Sequence, residues 1–132
     1  MSSEDLHVPR EVLTQEGRLL HYAITSLKEE LDAVDWYRQR ADDTEDEQLR
    51  EILLHNMREE MEHAAMVLEW IRRRNADFAG HLKTYLFTDA PIVGIEKVDT
   101  ARSEPGATSA AVGGGDGSGS AGVTIGSLKG AR

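Results

Sequence analysis

An all-α fold is expected: an antiparallel two-helix hairpin, a short third helix and a disordered tail. Three observations carry this. Gaps of three and four recur along two long segments, in the apolar Leu20, Ile24, Leu27, Leu31 and Val34 and again in a stripe from Leu49 and Leu53 through Asn56, Glu60 and His63 to Val67 and Ile71, the repeat of a helix face. The two segments are separated only by Asp42-Asp43-Thr44, a connection short enough to require an antiparallel return. From about Val98 to Gly122 nearly every residue is Gly, Ser, Ala, Thr or Asp. That composition buries too little apolar surface to offset the entropy of ordering it.

The first helix is expected from Pro9 or Thr14 to about Ala41. Pro9 suits a first-turn position, and Gly17 weakens the opening turns. Beside the apolar seam runs a second row, Ala23, Leu27, Glu30, Val34 and Tyr37. Thr44 followed by Glu47 matches a capping box, and Glu45, Asp46 and Glu47 favour the positive end of a second helix. Arg72, Arg73 and Arg74 complement its negative end, where Asn75 closes it. A third helix is expected over Asp77 to Phe87, stopped by Pro91. The chain divides into a helical domain over 1–97, a linker over 98–122 and a tip over 123–132. In the tip, Val123, Ile125 and Leu128 are aliphatic residues at the end of a linker. They suit a docking peptide tethered at high effective concentration, and composition alone leaves a frayed terminus equally open.

The 132 residues carry a formal charge of −9, which argues against nucleic-acid binding and favours divalent cations. With no cysteine, disulfides and thiolate metal sites are excluded. No apolar run approaches the roughly 20 residues that span a bilayer, and Met1 to Arg10 hold no apolar signal core. The cytoplasm is the expected compartment. About 90 residues remain for the folded part, a size at which the core is thin and association is a common remedy.

The most informative stretch is Glu60-Met61-Glu62-His63. Leu49, Leu53, Asn56, Glu60, His63, Val67 and Ile71 share one helical stripe, aliphatic at both ends and polar in the middle. A carboxylate among apolar neighbours needs compensation, and a cation held by Glu60 and His63 one turn apart supplies it. Glu30 lies between Leu27 and Val34 on the core-facing side of the first helix and needs a partner too. A four-helix di-metal centre takes Glu from two helices and Glu-x-x-His from two more. One chain supplies half of that set, so two copies would complete it. Oxygen and imidazole donors without sulfur suit iron or manganese. Counted from the turn, Glu30 and Glu60 differ in depth by about 7 Å at ~1.5 Å per residue. Whether they meet within one chain or across two is open at this stage.

The segments Leu27 to Tyr37, His55 to Met66, Leu68 to Arg73 and Tyr85 to Thr88 resemble the encapsulated ferritins of bacterial encapsulin nanocompartments. The tip from Thr124 to Gly130 is similar to the peptide by which such cargo docks inside its shell. The resemblance implies that two chains rebuild a ferritin-like four-helix bundle and that the dimers form a ring, typically a homodecamer. It implies a ferroxidase that oxidises Fe(II) with dioxygen at a di-iron centre and feeds mineral growth within the shell in the bacterial cytoplasm. Glu30, Glu60 and His63 match its ligands. Glu29 and Asp32 match an acidic site where metal arrives, with Asp32 one methylene shorter than the usual Glu, and Tyr37 and Trp36 match residues beside the centre. Manganese, zinc or calcium are the implied substitutes. The rival readings are a di-metal peroxidase or catalase, a non-enzymatic iron-binding cargo protein, and an acidic coiled-coil adaptor.

Overall fold

A computed structural model describes residues 6–103, and these are helical throughout apart from short connections. A single 3-10 turn, Arg10–Val12, precedes α1 (Gln15–Asp43), α2 (Glu47–Arg74), α3 (Ala76–Tyr85) and α4 (Ile92–Ser103). Most of the expected linker and the whole expected docking tip lie outside the described residues. No described helix is long and apolar enough to cross a membrane.

Helix α1 starts at Thr14, whose hydroxyl accepts from Gly17 N at 3.0 Å. Pro9 instead precedes the 3-10 turn. The helix runs two residues past the expected Ala41, to Asp43, and Thr44 closes it with its own N–H on Arg40 O. The capping box placed at Thr44 is therefore corrected. The cap of α2 is Asp46, whose carboxylate accepts from Leu49 N at 2.8 Å. Thr44 Oγ1 accepts instead from Asp46 N, a local turn that competes with capping. Arg50 reaches back across this turn and donates to Ala41 O at 3.0 Å and Thr44 O at 2.5 Å. It thereby satisfies carbonyls that the end of α1 leaves free.

Asn75 serves two helices. Its N–H closes α2 on Ile71 O, and its side chain caps α3 by accepting from Phe78 N at 2.9 Å. Helix α3 ends at Tyr85, two residues before the expected Phe87. Phe87 has φ 60°, the left-handed turn normally left to glycine, and Thr88 Oγ1 then donates to the free Tyr85 carbonyl at 2.7 Å. Pro91 does not stop α3; it opens α4, where Ile95 N bonds to its carbonyl. Helix α4 is not expected from sequence, and it carries helical structure across the boundary drawn at 97/98.

Helices α1 and α2 pack along their whole length, α3 leans on α2, and α4 rests on α3. At the open end of the hairpin an ion pair joins Arg74 to Glu16, and the Arg74 guanidinium lies over the Trp70 ring at 5.2 Å. The core of the lone chain is thin. Among the described residues only Ala41, Leu53, Ala64 and Ile71 are buried, while Leu31, Trp36, Ile52, Met61 and Met66 are about half exposed or more.

Candidate metal centre

Mid-hairpin, one carboxylate from α1 and a carboxylate–imidazole pair from α2 converge. Glu60 and His63 are one turn apart, so their side chains stack on the same face. His63 Nδ1 lies 3.1 Å from Glu60 Oε2 and 3.6 Å from Glu30 Oε2. One ligand atom from each of the three lies within 4.8 Å of the others. The depth mismatch expected from sequence is absent. With α1 ending at Asp43 and α2 starting at Glu47, both glutamates sit thirteen residues from the turn, 30 to 43 and 47 to 60. Along the expected stripe Leu53 and Ile71 are buried, Asn56, Glu60 and Val67 half-buried, and Leu49 and His63 exposed.

The three groups shift one another's proton affinity. The hydrogen bond with Glu60 holds the Glu30 carboxyl above its ordinary value, helped by partial burial and by Glu60's charge, with His63 pulling the other way. The same bond lowers Glu60, and the bond from His63 lowers it further. His63 is raised by its bond to Glu60 against an opposing effect of partial burial, with Glu30, Glu60 and Glu59 adding electrostatic support. The side chains stay open on one side, at 26%, 23% and 47% exposure for Glu30, Glu60 and His63.

Two carboxylates and an imidazole, with no thiolate, suit iron or manganese. Among the described residues this is the one cluster of at least three such groups. Glu29 and Asp32 are exposed on α1 and are not part of it. Trp36 is half exposed, and Tyr37 is half-buried, with Arg40 5.6 Å over its ring. The electrostatic part of Glu59 was missed by sequence reasoning. The signal was available in the consecutive carboxylates Glu59 and Glu60. Glu59 also stands 3.7 Å from His55 Nε2.

The EncFtn-like family model matches residues 5–89. The chain is 54% identical to an "Encapsulated ferritin-like protein" of Rhodospirillum rubrum over 129 residues, covering 98% of this chain and 91% of that one. It is 50% identical to a "Ferritin-like protein" of Thermotoga maritima over 102 residues, covering 77% and 90%. It is 38% identical to the "Encapsulin nanocompartment cargo protein EncC" of Myxococcus xanthus over 76 residues, covering 58% and 57%. A solved structure of protein ne0167 from Nitrosomonas europaea superposes with a TM-score of 0.64 at 53% identity, covering 66% of this chain and 96% of that one. Helices, cluster and relatives agree, and the chain belongs to the EncFtn-like family of encapsulated ferritin-like proteins.

Proposed function

We propose that this protein is a ferroxidase whose centre forms between two copies of the chain. The observation that carries the reading is the convergence of Glu30, Glu60 and His63 on one open patch. It is half of the four-Glu, two-His set that holds two metals in ferritin-like bundles. A second copy facing the patch supplies the other half and covers apolar residues that the lone hairpin leaves exposed. Dimers then assemble into a ring, in line with the family resemblance.

Fe(II) is the substrate. A pair of ferrous ions gives up two electrons, one each, and dioxygen accepts them. The chain's own residues do the rest. Glu60 carries the negative charge that draws the cation in. Glu30, as a carboxylate, is a second anionic donor. His63 offers its ring nitrogen once that nitrogen is free of a proton. Any protons on these groups leave as metal enters, and the cation compensates the carboxylate charge. By the family resemblance Trp36 and Tyr37 on α1 stand beside the centre, and the exposed Glu29 and Asp32 form its acidic approach.

The relative named as an encapsulin cargo supports a place inside an encapsulin shell in the bacterial cytoplasm. Residues 123–130 are proposed as the shell-docking peptide and the stretch before them as its linker. Oxidised iron then passes to the shell lumen. The test is aerobic Fe(II) oxidation, followed by absorbance and oxygen uptake, for the full chain beside Glu60→Ala. Fast oxidation that falls to the buffer background in Glu60→Ala supports the reading. Equal rates in the two proteins sink it and leave a cargo that only binds iron.

A further inference from the structure

Helix α4 is poorly covered. None of its residues is buried, and Ile92, Val93 and Val98 are 71%, 66% and 56% exposed. It packs on α3, with no substantial contact to the α1–α2 hairpin. It also lies beyond the residues matched by the family model. A twelve-residue helix is marginal in water without tertiary cover. Between α3 and α4 runs a groove of about 520 Å³, whose lining includes Pro91, Gly94, Ile95 and Val98 together with Lys83 and Arg102.

We propose that this groove is the resting site of the chain's own tip, Val123 to Leu128. Three observations favour that occupant. The described chain ends at Ser103, one residue after Arg102 of the groove's lining, so the tether starts at the site. The nineteen residues between Ser103 and Val123 are mostly Gly, Ser, Ala and Thr. A chain of such composition has a root-mean-square reach of roughly 25 Å, longer than α4 itself at about 18 Å. Tethering at that distance gives an effective concentration in the millimolar range, so weak intrinsic affinity suffices.

The third observation is chemical fit. The tip is the one aliphatic cluster after residue 112, and bound in extended form it would set Val123 and Ile125 on one side. A groove between two short helices takes such spaced side chains. Asp99 lines the same groove and forms no ion pair among the described residues, and Lys129 follows the tip as its partner. Lys83 and Arg102 are donors for the carbonyl oxygens of an extended peptide. The apolar residues of α4 point in several directions rather than along one stripe, which suits an inserted peptide better than a second α4. The tip is thus masked on its own chain until a competing partner takes it, and this holds independently of the metal centre.

The test uses the absence of cysteine from the chain. Full-length protein carrying Thr84→Cys and Ser127→Cys is equilibrated in a glutathione redox buffer, and the effective concentration of the two thiols is read from the disulfide fraction. The expected value is about 10-fold or more above that of the same pair carrying Ile125→Ser and Leu128→Ser. Equal values overturn the proposal, and so does a cross-link that joins two chains rather than closing within one. A cysteine-free measurement guards against distortion. The Ile95 methyl resonance of the full chain should shift on introducing Ile125→Ser and Leu128→Ser, and an unchanged Ile95 methyl also overturns the proposal.

Discussion

Glu30 and Glu60 stand at equal depth in the hairpin, each thirteen residues from the turn, and each moves the other's carboxyl, Glu30 upward and Glu60 downward. A metal held by His63 needs the coordinating nitrogen free of its proton. His63 is raised above its ordinary value of 6.5, so affinity should strengthen as pH climbs through that raised value. Protons released per metal should fall as pH rises above 6.5 and through that raised value, because His63 empties beforehand. Zn²⁺ titration in weak buffer with a pH dye measures this. Release that is flat with pH would remove His63 from the centre.

The same groups affect the metal-free fold in the opposite sense. A raised His63 adds stability that is complete below its unfolded value and is lost as pH rises through its folded value. Glu30 behaves alike at lower pH, and Glu60, lowered, contributes above its unfolded value. The metal-free protein should therefore lose stability over the window in which metal affinity grows. Denaturant midpoints at several pH values, with and without Zn²⁺, should diverge as pH rises.

Bringing two copies together face to face would crowd four glutamates, and without cations that is repulsive. Fe²⁺ added without oxygen should therefore shift the population toward dimers and rings in native mass spectrometry, and Glu60→Ala should blunt the shift. Identical populations with and without Fe²⁺ would show that apolar contact alone drives association.

The helices were legible because their apolar repeats are long, and the site was legible because Glu60 and His63 interrupt such a repeat. The turn was not, since Thr44 and Asp46 are both good caps three residues from an acceptable partner. Which one wins depends on where α1 stops, and α1 stops where Arg50 binds its carbonyls. The missed α4 has its apolar residues spread around the helix, so no stripe announced it. Asp46→Ala should cost about 1 kcal/mol of stability and Thr44→Ala clearly less. Urea midpoints for the two variants, read with a common slope, decide between the caps.

Arg50 connects the turn to the metal cluster. Its guanidinium holds Ala41 O, Thr44 O and, at 2.9 Å, Glu47 Oε1, so it ties the last turn of α1 to the first turn of α2. Replacing it with Met keeps much of the stem but frees two carbonyls, and should destabilise the protein by about 2 kcal/mol. Arg50→Lys should recover only part, because one ammonium lacks the planar fork that spans separate acceptors. The effect should reach the centre. A slip of one residue between the helices moves Glu30 about 1.5 Å relative to Glu60, enough to spoil a shared ligand geometry. Zn²⁺ affinity measured well below the melting temperature should fall in Arg50→Met even though no ligand has changed. An affinity equal to that of the parent would mean that the Glu16–Arg74 pair and the packed seam set the stagger without the turn.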